Sequence, residues 1–180
     1  MRPSVSAPGM SAPLRWDVVA TPMGDLVVVV SEAGIVATAI DEGDERLDRW
    51  FGWIGTALDR PVRRSTRPIA GVRRELAAYF GGTGRRFDTP VDLTLAGDGF
   101  GRRVLEATVR IPYGEVATYG DVAAAAGSPR GGRAAGNALK RCPIELWVPC
   151  HRVVHAGGGI GGYGRHEERK RFLLRHEGAI

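Results

Sequence analysis

The stretch Pro149-Cys150-His151-Arg152 sets a thiol, an imidazole and a guanidinium side by side. A cysteine is a nucleophile only as its thiolate, and a neighbouring imidazole or cation favours that form. Adjacent side chains on a strand point apart, so His151 would reach Cys150 through a turn or a water. A carboxylate orienting the imidazole would complete a proton relay. Glu115, Glu145, Glu168 and Glu177 are all candidates, and residue type does not choose among them. The competing readings are an inert buried thiol and a hydrogen-bonded core histidine.

Cys142 and Cys150 are the only cysteines, too few for a disulfide framework, and they fit a cytoplasmic location. Together with His151, His155, His166 and His176 their spacing matches no zinc pattern, so no metal site is expected. The glycine-rich run Ala156 to Gly164 lacks the Gly-Lys-Ser/Thr ending of a phosphate-binding P-loop. It reads instead as a wall that closes on a small flat ligand.

Around this pair the charge is lopsided. Residues 1–97 carry 12 Lys+Arg against 12 Asp+Glu, whereas residues 98–180 carry 13 against 8 and so hold the whole net charge of +5. A basic face attracts phosphate, although charge alone does not separate a nucleic-acid surface from a solvated arginine-rich one. In the same half, Tyr119 to Ala126 and Arg133 to Arg141 read as helices joined by the turn Gly127-Ser128-Pro129-Arg130-Gly131-Gly132. Short helix, glycine-containing turn, second helix is the helix-turn-helix pattern, and a plain helical hairpin fits it equally. Arg133-Ala134-Ala135-Gly136-Asn137-Ala138 offers one long cation among small side chains. Such a face suits close helix packing, or entry into a narrow DNA groove.

The remaining elements must position these residues. Arg15 to Thr21, Asp25 to Ser31 and Gly34 to Ile40 read as a β-meander. Asp41 to Arg67 is ambiguous, with Leu47, Trp50, Phe51 and Ile54 at helical spacing. Pro68 to Phe80 reads as a helix with Pro68 in its first turn and Ile69, Val72, Leu76, Tyr79 and Phe80 on one face. Thr89 to Gly99 reads as a link, Phe100 to Arg110 as a helix, and Glu167 to His176 as a last helix with Phe172 and Leu173 inward. The expected organisation is a flexible arm over 1–13, a first domain over 14–97 and a second over 98–180. No apolar run approaches the roughly 20 residues of a membrane span.

Taken in order, Ile111-Pro112-Tyr113-Gly114-Glu115, Tyr119-Gly120, Arg133-Ala134-Ala135-Gly136, Pro149-Cys150-His151-Arg152-Val153 and Leu173-Leu174-Arg175-His176-Glu177-Gly178 form a specific set. The chain resembles the O6-alkylguanine-DNA alkyltransferases, also called methylated-DNA–protein-cysteine methyltransferases. The resemblance is strong over Phe100 to Gly178 and weaker over Thr21 to Leu26 and Ala78 to Gly82. It implies an α/β protein with a ribonuclease-H-like N-terminal domain and a helical C-terminal domain carrying a helix-turn-helix. It implies that Cys150 takes the alkyl group of O6-alkylguanine once and irreversibly, with O4-alkylthymine an open second substrate. His151 would remove the thiol proton through water, Glu177 would orient His151, and Tyr119 would protonate the departing guanine. Arg133 would fill the gap left by a base flipped through the minor groove, since a base inside a duplex hides its O6 substituent.

On that resemblance Arg133, Tyr119, Ala134, Ala135, Gly136 and Arg130 form the DNA-contacting set. Val148, Pro149, Tyr163 and Gly164 form the pocket, with the carbonyls of Val148 and Cys150 reading the guanine. The implied partner is double-stranded DNA containing O6-alkylguanine, and the implied state is a monomer with no cofactor, no membrane association and no obligate protein partner. Cys142 stands at a hinge where the family has Asn before Pro, which puts the bracing of that turn in doubt. Arg165-His166 replaces two small residues, narrowing the pocket or adding a phosphate contact. The alternatives are a sensor that binds alkylated DNA without transfer, a transcription regulator and, more distantly, a cysteine hydrolase.

Overall fold

Apolar β-branched runs broken by turn residues form the first sheet. The computed structural model describes residues 12–65, 69–164 and 166–180. The expected arm, apart from Ala12 and Pro13, lies outside the described residues, as do Pro68 and Arg165. Strands β1 (Leu14–Thr21), β2 (Gly24–Val30) and β3 (Ile35–Ile40) make the expected antiparallel meander. The ambiguous segment divides into helix α1 (Asp44–Leu58) and a short strand β4 (Val62–Arg64), which pairs parallel with β1 and gives the order β3-β2-β1-β4. At three residues, two of them arginine, β4 is too short and polar to show a strand period.

The sheet is covered on both faces. Leu26, Val28 and Val30 join helix α2 (Ala70–Phe80) through Val72, Leu76 and Tyr79, whereas Val29, Leu14 and Ala37 pack with Ile54 of α1. Burial on both faces is the reason that Val27 to Val30 reads as unbroken valine rather than alternation. The stretch expected to be a link is tied to the sheet. Val91 bridges Ile35, and the Asp92 side chain caps a 3₁₀ turn over Leu93–Ala96.

The second half contains α3 (Phe100–Val109), β5 (Ala117–Thr118), α4 (Tyr119–Ala125), α5 (Gly132–Leu139), β6 (Val153–Val154) and α6 (Glu167–His176). Thr118 and Asp121 cap the start of α4 reciprocally, each side chain accepting from the other's backbone N–H. Strands β5 and β6 pair in parallel, Ala117 with Val153 and Thr118 with Val154. That two-residue ladder brings Tyr119 beside the segment carrying Cys150. In α6 the inward residues are Lys170, Leu173 and Leu174, whereas Phe172 is 39% exposed, contrary to the expectation that it faces the core. The spacing 170, 173, 174, 177 marks the true inner face. One hydrophobic cluster runs through both halves, joining Leu26, Ile35 and Leu76 to Val104, Leu139 and Leu173. Among the described residues no helix is long and apolar enough to cross a membrane.

Candidate active site

Cys150, His151 and Arg152 form one 3₁₀ turn, not a strand, so the side-chain divergence expected of strand neighbours does not apply. The approach to this turn is tight. Leu146 has φ 70°, an unfavourable left-handed conformation for a γ-branched residue, and it is buried. The first half of the chain holds it there. Thr38 of β3 donates its N–H to the Pro143 carbonyl at 2.8 Å and accepts from Glu145 N–H at 2.6 Å. The Trp147 indole N–H donates to Glu75 of α2 at 3.2 Å. Strain at a reactive turn persists because surrounding structure over-determines it.

Of the four candidate carboxylates, the fold brings Glu177 to His151. His151 Nε2 lies 2.9 Å from Glu177 Oε1, and both side chains are buried. A carboxylate only accepts, so Nε2 carries the proton and Nδ1 is the basic nitrogen. That Nδ1 is buried and has no hydrogen-bond partner among the protein groups. Glu177 also accepts from Arg152 Nε at 2.8 Å and Nη2 at 2.9 Å, from the Tyr79 hydroxyl at 2.6 Å and from Gly114 N–H at 3.3 Å. Burial alone would raise its pKa, but the hydrogen bonds from His151 and Arg152 outweigh this and hold it well below the ordinary glutamate range. Burial likewise lowers the His151 pKa, with Glu177 opposing, so the imidazole is neutral near pH 7.

Cys150 is 8% exposed and lines a cavity of about 110 Å³ with Tyr119, Gly136, Cys142, Glu145, Tyr163 and Gly164. The neighbouring Cys142 thiol, then burial, push the Cys150 thiol well above its ordinary range, and Lys170 pulls the other way. The resting group is therefore a thiol, and its activation needs a base. Tyr119 is half-buried, and burial followed by the nearby Cys150 raises its pKa, so its hydroxyl is protonated at neutral pH. The Tyr119 ring lies against Gly136 and against Gly161, where an added Cβ would stand 2.6 Å from Tyr119 Oη. Only glycine fits at 161, where φ is +76°.

The structure separates the expected DNA-contacting set. Arg130, Arg133 and Ala134 are exposed, and Gly136 is half-buried beneath Tyr119. Arg133 lines an open hollow beside the cavity, with Tyr119, Asn137 and His155. Ala135 is fully buried in the core, so it packs α5 in place and does not face outward, a correction to its expected role. In the pocket set, Tyr163 and Gly164 line the cavity, whereas Pro149 and buried Val148 do not. The Val148 carbonyl accepts from Cys150 N–H at 2.7 Å and the Cys150 carbonyl from Val153 N–H, and a carbonyl oxygen has a second lone pair. His166 faces Glu42 at 2.9 Å and Glu168 at 3.3 Å, which ties this residue to the first half instead of leaving it for phosphate.

Two residues of the site escaped the sequence reading, and a third, Glu145, was read only as a possible partner of His151. Lys170 is fully buried, donates Nζ–H to the Val153 carbonyl at 2.6 Å, and has a pKa lowered to about 8 by burial. Its place in the 170, 173, 174, 177 spacing was the available signal. Tyr79 is a long-range partner of Glu177, which no local pattern marks. Glu145 lines the cavity with Oε2 buried and without a hydrogen-bond partner, and burial raises its pKa. Among the described residues no group of three or more His, Cys, Asp or Glu is placed to hold a metal ion.

At the hinge, the Cys142 S–H donates to the Ile144 carbonyl at 3.2 Å, so a weak brace is kept. Cys142→Asn is expected to raise stability by about 0.5–1.5 kcal/mol, through a stronger donor. It should also raise the proton affinity of Cys150 less than the thiol does. Thermal unfolding and the ionisation of Cys150, followed by thiolate absorbance, check both. An unchanged melting temperature and an unchanged titration would show that the turn is braced elsewhere.

Comparison with known proteins identifies the family. Residues 99–179 match the family model described as 6-O-methylguanine DNA methyltransferase, DNA binding domain. The constitutive methylated-DNA–protein-cysteine methyltransferase of Bacillus subtilis (strain 168) is 37% identical over 87% of this chain and 91% of its own. The Salmonella typhimurium enzyme of that name is 37% identical over 90% and 94%. The crystal structure of Mycobacterium tuberculosis OGT in complex with DNA superposes with a TM-score of 0.77 at 32% identity, over 92% of this chain and 93% of that one. A chain that aligns with these proteins over nearly its whole length, with a buried thiol and a histidine on one turn and Glu177 set against that histidine, belongs to the methylated-DNA–protein-cysteine methyltransferase family.

Proposed function

We propose that the protein repairs DNA by moving an alkyl group from O6-alkylguanine to Cys150, once per molecule. The observation that carries this reading is the His151–Glu177 pair, which leaves one buried, basic imidazole nitrogen on the same short turn as a thiol that needs deprotonation. His151 Nδ1 takes the Cys150 proton through water, and the negative charge of Glu177 stabilises the imidazolium that forms. Cys150 Sγ then displaces guanine from the alkyl carbon, forming a thioether while the C–O bond breaks. The Tyr119 hydroxyl delivers a proton to the departing base. Carbonyl lone pairs of Val148 and Cys150 orient the guanine, and Tyr163 and Gly164 wall the alkyl group.

In this reading α4, the turn 126–131 and α5 act as a helix-turn-helix, and the N-terminal unit 14–97 is ribonuclease-H-like. The unit 98–180 carries the chemistry, close to the family match at 99–179. A monomer in the reducing cytoplasm suits a free-thiol acceptor. Arg133, exposed beside the cavity mouth, holds the extrahelical state by filling the space left in the stack. Arg133→Ala is expected to slow transfer in fully paired duplex on the order of tenfold, and less where the lesion is mispaired, because flipping then costs less. Equal slowing in both substrates, read by single-turnover kinetics, would make Arg133 an ordinary phosphate contact.

The imidazole must be neutral to act as a base, and its folded pKa is lowered. The transfer rate should therefore hold through neutrality and fall only below about pH 6.5, the ordinary histidine value. A rate–pH profile whose acid limb lies above that value would remove His151 from this role. Incubation with duplex carrying labelled O6-methylguanine tests the whole reading. Label moves onto protein in a transferase, whereas tight binding without label would mark a sensor.

A further inference from the structure

We infer that Cys142 and Cys150 form a modification site of their own, closing into a reversible disulfide when a peroxide enters the cavity. Both thiols line the same cavity, and Cys142 stands close enough to Cys150 to raise the proton affinity of its thiol. The Cys142 S–H is used on the Ile144 carbonyl at 3.2 Å, a bond that leaves the sulfur lone pairs unused. The turn from Pro143 to Pro149, held by β3 through Thr38, fixes both cysteines on that cavity and leaves little chain to order on closure. These are the only cysteines in the chain, so one intramolecular pairing exists.

The chemistry balances with hydrogen peroxide as the oxidant. The Cys150 thiolate attacks one peroxide oxygen, the O–O bond breaks, and hydroxide leaves behind a sulfenic acid. The Cys142 sulfur then attacks the Cys150 sulfur, the S–S bond forms, and the hydroxyl departs as water with the Cys142 proton. A small thiol reverses this by two exchanges. Without a neighbouring thiol, sulfenic acid proceeds to sulfinic acid, which small thiols do not reduce. For a protein whose acceptor is used once, the disulfide preserves that one reaction. Only this consequence rests on the proposed function.

Mass spectrometry tests the inference directly. No Lys or Arg lies between Cys142 and Arg152, so trypsin releases both thiols in one peptide. After hydrogen peroxide that peptide should be two hydrogens lighter, and dithiothreitol should restore its mass. Transfer activity, normalised to each untreated protein, should return with dithiothreitol in the wild type and at least about fivefold less in Cys142→Ser, whose Cys150 gains two oxygens. A wild-type peptide carrying added oxygen on Cys150 with Cys142 still a thiol would overturn the inference, as would equal recovery in both proteins. The mass readout needs no alkyl transfer, so an untreated protein that fails to transfer refutes the proposed reaction and not the disulfide.

Discussion

Cys150→Ser is expected to fold, to bind DNA, and to lose alkyl transfer by at least about a thousandfold. The substitution exchanges sulfur for oxygen in a buried position and alters none of the groups that brace the turn. A serine hydroxyl is a much weaker nucleophile, and a neutral imidazole reached through water does not generate appreciable alkoxide. Affinity for duplex should stay within about twofold, because the exposed cations Arg130 and Arg133 are untouched. Single-turnover transfer and a binding titration on the same preparation measure both quantities. Residual transfer within tenfold of wild type would require another acceptor.

Glu177→Ala is expected to cost about 3–5 kcal/mol of folding stability, because it leaves the Arg152 guanidinium buried without its carboxylate. It also strands the Tyr79 hydroxyl from the first half and His151 from the second. For a chain of this size the melting temperature should fall on the order of 10 °C. Glu177→Gln keeps the shape and loses the charge, so it should unfold less readily than Ala and still transfer poorly. The same carboxylate sets an acid limit to stability. Its folded pKa is depressed, so its contribution is complete above the ordinary glutamate value, about pH 4.3, and is lost as pH falls toward the folded value. Thermal melts of wild type and Glu177→Gln should therefore converge in strong acid. Parallel loss of stability in the two proteins would show that another carboxylate carries the acid sensitivity.

What could be read along the chain was local. The valine-rich meander, the helix ending at Phe80 and the helices flanking residues 127–131 follow from periodicity and turn residues, and the strands and helices lie within a few residues of those expectations. Cys150 and His151 were visible because residue type alone marks them. Long-range partners were not visible. By residue type Glu177 was one of four carboxylates; the family resemblance pointed to it, and the fold sets it 2.9 Å from His151. Tyr79 is 98 residues from Glu177, and Thr38 is 107 from Glu145, so neither contact leaves a mark in any local window. Ala135 illustrates the opposite error. A run of small residues says that something comes close, but one face of α5 meets the core and the other meets solvent. Lys170 was hidden because a lysine in a charged helix reads as exposed, whereas here its ammonium is satisfied by the Val153 carbonyl.

The most direct measurement is the position of the transferred group. A duplex carrying one isotopically labelled O6-methylguanine is mixed with an equal amount of protein, and the peptide from Cys142 to Arg152 is fragmented. Transfer by the proposed chemistry puts one labelled methyl group on Cys150, leaves Cys142 unmodified and leaves guanine in the DNA. Label on Cys142, or DNA still methylated after tight binding, would contradict it.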